Sequence, residues 1–502
     1  MSSRAGAPPA SGSHRRAFAA GPTLRTLVKV SLPLLALACA LPLQAASRCE
    51  PGAVISSAER AQGGPIRTLH FSGAGHDYVV GQGYQPGAGW PKFNLDSYER
   101  AVDLEVPASS LRTVRSQANH PPRGGARQPF EHPEEAVTAV APGSSRAVAM
   151  RRELALLLPA GFLQVATHSA QVSARELAGG ACAVTAALDE GAPITATVAR
   201  DGSILRIESK APDDVLGDAL VETRFSGHLR RGSWQMPAHI VQNYGGFPVL
   251  DLEVKQASFN EPVTVAADAV PVLPDWIAPA SLPSEKLGDG VFVIPGRYSA
   301  VAVDLGDFMA VIEGPQSEAR STYIIGEARK LIPGKPIRYV INTHAHFDHT
   351  AGLRTFAAEG ATIVTQAGNI PFFKDVLNRP RTLRPDTLAR SPRPLQFMPV
   401  GETATLEGGG REIRLYRLHG MDHSQNMLIA YLPGPKVLVE ADAFTPPARA
   451  RTAAPASINP YTVQLLDNIE RLHLDIDRLI SIHYAADGRR VGMNELRLAA
   501  GR

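Results

Sequence analysis

Cysteine is scarce in this chain, with three residues among 502. A chain of this length is expected to hold more than one domain, and it can bury a sizeable core without cysteine staples. Charge of one sign is also lacking: 51 Lys and Arg stand against 48 Asp and Glu, a formal net charge of +3. The hydrophobic fraction of 44% and charged fraction of 20% are those of ordinary globular proteins, which excludes disorder, collagen and coiled coil. The apolar run Val30–Leu43 is shorter than the roughly 20 residues of a comfortable membrane span, and prolines interrupt it.

A further absence is local. Residues 1–46 contain no acidic side chain but carry Arg4, Arg15, Arg16, Arg25 and Lys29. A positive stretch, a short apolar run and small residues at its end (Gln44-Ala-Ala-Ser47) describe an export signal, which places the mature chain in the periplasm or outside the cell. Arg15-Arg16-Ala17-Phe18 partly matches the twin-arginine pattern, whereas Ala36-Leu-Ala-Cys39 is a poor lipoprotein box. Cleavage near Ala45 or Ala46 removes five positive charges and leaves 46 basic against 48 acidic residues. The mature chain is then close to neutral, which argues against nucleic acid as a partner and leaves no segment expected to insert stably in a membrane. Cys39 leaves with the signal; Cys49 and Cys182 remain, and an oxidising compartment permits one disulfide between them without requiring it.

Two regions follow. Residues 47–275 form a strand-rich N-terminal domain of unassigned role. Its first part is rich in turn formers, as in Gly73-Ala-Gly75, Gly81-Gln-Gly83 and Gly87-Ala-Gly89. A helix is expected at 149–158. Alternating stretches follow at 194–198, 204–208, 219–225, 238–242 and 249–254, with hairpin turns at Asp201-Gly202 and Gly245-Gly246; the pattern is that of an antiparallel meander. His70, His76, His120, His132, His168, His228 and His239 are scattered without metal spacing. The Pro-rich stretch 271–283 marks a boundary. Beyond it, strands alternate with helices, notably a helix over Glu318–Leu331, a buried strand Ile337–Asn342, helices at 350–359 and 462–474, and a last strand Arg478–Ile482. This is an α/β layered pattern for residues 285–502.

The chemistry is concentrated in Asn342-Thr-His-Ala-His-Phe-Asp-His-Thr-Ala-Gly352, directly after the buried strand. His344, His346, Asp348 and His349 are metal-capable, and a His-x-His pair in extended backbone points both imidazoles to one side. Imidazole and carboxylate together suit zinc, with other transition metals possible.

His-x-His-x-Asp-His is the mark of the metallo-β-lactamase superfamily, and this segment resembles it over about residues 285–495. The other motifs fall in order: Gly420-Met-Asp-His-Ser424, Val439-Glu-Ala-Asp-Ala443 and Ile482-His-Tyr484. The resemblance implies a four-layer αββα fold with two zinc ions per chain. It implies one site of His344, His346 and His423 and a second of Asp348, His349 and His483, with Asp442 shared. It also implies hydrolysis of an ester, thioester, amide, lactam or related bond in a small molecule by a metal-bridging hydroxide, with Asp348 as the catalytic residue that orients the nucleophile and shuttles a proton. In place of the family's frequent Asp-x-Gly turn stands Val311-Ile-Glu-Gly-Pro315, so Glu313 is expected to support the metal loop from outside. Tyr484 replaces a frequent glycine; its phenol is expected near the site mouth, where it either bonds substrate or packs. Asp442-Ala-Phe-Thr-Pro446 holds no tyrosine shortly after the shared aspartate, which weakens a lactonase reading. The alternatives are an iron-dependent oxidoreductase on the same fold, disfavoured by His346 and the absence of a flavin motif, and an apolar-ligand-binding protein with a vestigial metal site. The alternation of Pro237–Val254 suits a curved sheet that binds an apolar ligand or covers the active site.

Overall fold

Alternating apolar side chains separated by Gly and Asp turns build a single antiparallel sheet of eleven strands in the first region. The structure is a computed structural model that describes residues 49–125, 132–265, 282–485 and 487–502. The expected export signal and most of the Pro-rich boundary lie outside the described residues. The sheet runs from an edge at Glu134–Val140 through Ala108–Gln117, Lys92–Asp103 and Thr68–Tyr78 to Phe247–Phe259. It continues through His239–Tyr244, Gly217–Ser226, Ile204–Asp213, Ile194–Val198 and Cys182–Ala186 to Val172–Glu176. The hairpins fall at Asp201-Gly202 and Gly245-Gly246, where Gly245 and Gly246 take φ of 60° and 96°.

The early glycines do not all make turns. Gly73 and Gly75 lie inside the eleven-residue strand Thr68–Tyr78, which bends there through irregular register. A Cβ on Gly75 would stand 2.0 Å from the Asp251 carbonyl oxygen, and one on Gly73 2.2 Å from that of Glu253. Glycine at these positions admits close approach of the neighbouring strand, so the residues that read as turn formers bend a strand instead.

The expected helix at 149–158 is Ala147–Leu157. Pro159 forces Leu158 into extended backbone (φ −129°, ψ 136°) and then opens a second helix, Pro159–His168, which the apolar pattern alone does not set apart. These helices and Pro51–Ala61 cover one face of the sheet, enclosing Phe71, Leu154, Phe162, Val184 and Ile207. Cys49 and Cys182 form a disulfide across 133 residues of chain, tying the start of the first helix to an outer strand.

The second region is layered as expected. A seven-stranded mixed sheet runs from Glu285–Gly288 to Phe397–Val400, and a five-stranded sheet runs from Thr403–Gly408 to Arg478–Ser481. Val293, Val303, Ile312, Ile341 and Val364 of the first meet Leu415, Leu428, Val439 and Ile480 of the second in one core. Helices Glu318–Leu331, Leu353–Ala358 and Ile370–Val376 pack outside the first sheet, and Pro460–Arg471 and Met493–Ala499 outside the second. The helix expected at 350–359 is two short ones, Phe347–Thr350 and Leu353–Ala358, separated at Gly352. A Cβ on Gly352 would meet the Ser321 hydroxyl at 1.9 Å.

The two regions share a core. Trp90, Val215, Leu216 and Ala219 belong to the same buried cluster as Met309, Ile324, Phe356 and Phe373. Arg381 donates to the carbonyls of Asp213 (2.6 Å) and Val215 (3.0 Å) across the same junction.

Candidate metal centre

Strand ends deliver the polar side chains to one place. Met309–Ile312 ends at Glu313, Ile337–Ile341 at the segment bearing His344 and His346, Val437–Glu440 at Asp442, and Arg478–Ser481 at His483. His423 arrives on the connection between Arg411–Arg417 and Leu428–Leu432. Asn342 braces the metal loop, its amide donating to the carbonyls of His344 (2.7 Å) and His349 (3.0 Å). Asp442 takes φ of 62° and Glu313 78°, left-handed values unusual for residues with a Cβ.

The side chains gather into two groups joined by one carboxylate. His344, His346, His423 and Asp442 form the first; Asp348, His349, Asp442 and His483 form the second, with the candidate ligand atoms of each within 4.8 Å of one another. Asp442 Oδ2 lies 3.1 Å from His423 Nε2 and 3.5 Å from His344 Nε2. Its Oδ1 lies 2.6 Å from His483 Nε2 and 3.1 Å from His349 Nε2. Among the described residues, both Asp442 oxygens, His346 Nδ1 and His349 Nε2 are buried without a hydrogen-bond partner. Such convergent lone pairs fit metal cations, and the imidazole and carboxylate set suits zinc or another transition metal.

Electrostatics separate the two groups. Burial, then the charge of His349, lowers His344 to about 4. Burial, then the neighbouring His423 and His344, holds His346 well below its ordinary value. Both are neutral imidazoles with a lone pair free at neutral pH. Burial also disfavours a charged His349, but the Asp442, Asp348 and Glu313 carboxylates outweigh it and raise this histidine well above its ordinary value. Glu313 Oε2 lies 2.7 Å from His349 Nδ1, and Oε1 accepts from the Thr343 amide at 2.8 Å. A carboxylate on Nδ1 leaves Nε2 to face the site. Burial raises Glu440 to about 8, two residues before Asp442.

Several contributors carry no signal in the sequence. Tyr298 donates its hydroxyl to Asp348 Oδ2 at 2.8 Å, and its ring lies 4.5 Å from that of His483. Burial, then the Asp348 carboxylate, raises this phenol far above its ordinary value, so it is a donor at neutral pH. From the strand-rich region, Gln82 donates to Asp348 Oδ1 at 2.9 Å, and the Gly83 carbonyl lies 3.2 Å from His346 Nε2. These residues stand far from the motif in sequence, and nothing in their spacing points to a ligand.

Tyr484 does not reach the site mouth. Its hydroxyl accepts from Arg478 at 3.0 Å and lies 3.5 Å from Glu285, and its ring packs on the core between the sheets, so of the two expected roles it packs. The strands of Pro237–Val254 lie in the large sheet, and Tyr244, Phe247 and Val249 pack against the core shared with the layered region, while the segment around Gly81–Tyr84 bonds the metal loop. His419 pairs with Glu402 at 2.5 Å, and His473 is exposed at a helix end. Among the described residues, the scattered histidines of the first region join no metal-capable group.

Residues 310–483 match the family profile described as the metallo-beta-lactamase superfamily. This part of the chain is a metallo-beta-lactamase superfamily domain. No curated protein matches the chain. Among solved structures the chain is similar to a metallo-beta-lactamase from Pontibacter korlensis, at 14% identity and TM-score 0.32 over 43% of this chain and 96% of that one. It is likewise similar to the metallo-beta-lactamase FIM-1 from Pseudomonas aeruginosa in a mono-zinc form (16%, TM-score 0.33, 44% and 96%). A third is a metallo-beta-lactamase from Hirschia baltica (18%, TM-score 0.32, 43% and 95%). Superfamily members are mostly metal-dependent hydrolases, and the His and Asp groups of this metallo-beta-lactamase domain could hold metal ions.

Proposed function

We propose that the protein is an exported dinuclear zinc hydrolase acting on an ester, thioester, amide, lactam or related bond of a small molecule. The observation that carries this reading is the division of Asp442, with Oδ2 turned to His344 and His423 and Oδ1 to His349 and His483. His344, His346 and His423 would hold one ion, and Asp348, His349 and His483 the other. When bound, the ions supply Lewis acidity and acidify a water near neutral pH. The chain's own groups do the orienting. Asp348, gripped at Oδ1 by Gln82 and at Oδ2 by Tyr298, is placed to hold a proton beside the second group. Burial would raise its carboxyl, but His349 outweighs burial and keeps it below its ordinary value, so it is an acceptor at neutral pH.

Export to the periplasm or medium is supported by the charge pattern of residues 1–46 and by the Cys49–Cys182 disulfide, a bond that persists in oxidising compartments. Mass analysis of the N-terminus of protein recovered outside the cytoplasm should find it near Ala46 or Ser47; an intact Met1 would contradict export with cleavage. Hydrolysis is tested with a panel of ester, lactone, thioester, β-lactam, phosphodiester and sulfate substrates. Turnover of at least one, abolished in His346→Ala, is expected, and turnover unaffected by that change would overturn the reading.

A second reading has one observation of its own. A largely apolar cavity of about 310 Å³ lies in the strand-rich region, lined by Ala58, Ile66, Leu69, Leu163, Phe225 and Met236. It favours an apolar-ligand-binding role, which would require tight binding by a chain that turns over none of the panel.

A further inference from the structure

The metal loop is clamped by a segment more than 250 residues upstream, and the clamp is made almost entirely of backbone. The Gly81 carbonyl accepts from the Phe347 amide at 3.1 Å, and the Tyr84 carbonyl accepts from the Gln425 amide at 2.9 Å. Between them, the Gly83 carbonyl meets His346 Nε2. A carbonyl can only accept, so the His346 proton sits on Nε2 and the bare lone pair is on Nδ1, the atom left unpartnered toward the site. The segment can approach this closely because Gly81 has φ of 76° and no side chain: a Cβ there would stand 2.4 Å from the Phe347 ring.

One side chain of this segment enters the site. Gln82 is buried, its own backbone amide bonds the Val79 carbonyl at 3.3 Å, and its carbonyl accepts from Gly125 at 3.0 Å. Its Nε2 donates to Asp348 Oδ1 at 2.9 Å, while Tyr298 donates to Oδ2. An ionised carboxylate only accepts, so the amide must present its NH₂ end. Two donors, one on each oxygen, fix the plane of a carboxylate whose metal-capable neighbour His349 stands 3.6 Å away.

We propose that Gln82 is a positioning residue for Asp348, so that the strand-rich region completes the second metal group and the metal domain does not make that group alone. This rests on the two-metal reading above. Outer partners of ligating groups commonly set metal affinity by about 10–100-fold.

The test is a zinc titration of the full mature chain, stripped with a chelator and read against a competing chromophoric chelator. Gln82→Met keeps the volume and removes the hydrogen bond; Gln82→Glu keeps the size but sets an acceptor against Asp348. Wild type should bind two zinc ions. In both variants the affinity of one site should fall roughly 10–100-fold, more in Gln82→Glu, while the other holds and the thermal melt of the stripped chain is unchanged. If both variants retain wild-type affinity at both sites, the role of Gln82 is overturned and the two-metal reading stands. Equal weakening of both sites would also overturn it, because that is the result of a displaced segment. If wild type takes up no second zinc, the two-metal reading fails and this inference with it.

Discussion

The strand-rich region and the layered region are built by opposite rules. In the layered region buried polar groups are concentrated at strand ends, and Glu313, His344, His349 and His423 are wholly inaccessible. In the strand-rich region the buried polar groups are paired instead: Arg100 donates to Ser109 and Glu153, Glu222 accepts from Arg206 and Arg224, and Thr223 accepts from Gln242, around an apolar core tied by a disulfide across 133 residues. Burying polar groups costs stability unless they are paired, so the layered region gives up stability for a site that a cation would restore. The strand-rich region carries the disulfide and lends Gln82 and the Gly83 carbonyl to the site. Function and stability should therefore separate when each region is perturbed.

The largest effect is expected at the shared carboxylate. Asp442→Asn should lower hydrolysis by roughly 10²–10³-fold or more and lose metal at both groups, measured by initial rates and metal content. Loss of zinc at only one group would break the claim that Asp442 joins them. Glu313→Gln should weaken metal binding by about 10–100-fold, since an amide at His349 Nδ1 no longer stabilises the ligating ring as a carboxylate does. A variant with unaltered affinity would reduce Glu313 to a support of the Thr343 backbone alone.

The opposite region should show the opposite pattern. Cys182→Ser should lower the stability of the mature chain by about 2–5 kcal/mol in urea unfolding while leaving zinc affinity unchanged below the transition. Parallel losses of stability and affinity would mean that the two regions do not divide these roles. The smallest effect concerns pH. Because burial raises Glu440 to about 8, the folded chain binds more protons than the unfolded chain between about pH 4.5 and 8. Stability of the stripped chain from this group is present below that window and is lost as pH rises through it. Glu440→Gln, a mimic of the protonated form, should flatten the slope and raise stability at pH 8, as urea unfolding across that range would show.

The same contrast explains what is legible in the sequence. The metal groups are readable because four of their members fall within six consecutive positions, and the rest follow strands whose ends are marked by short motifs. Helix Glu318–Leu331 falls where it is expected, and Ser317 caps it by accepting from the Arg320 amide. The long strand Thr68–Tyr78 is not legible, because glycine serves close strand approach as readily as a turn and only the neighbouring strand decides which. The direction of Tyr484 is set by Arg478 and Glu285, partners that no spacing rule connects, so a place at the site mouth is the wrong expectation. Gln82 and Tyr298 are silent for the same reason: a single hydrogen bond across 266 or 50 residues leaves no pattern in the chain.

The central claim is that the two groups around Asp442 hold two metal ions. Elemental analysis of the purified mature protein, after dialysis against zinc and removal of excess, tests it directly. Two zinc per chain, falling below one in Asp442→Asn, is the predicted result. A wild-type chain that retains no metal would contradict it.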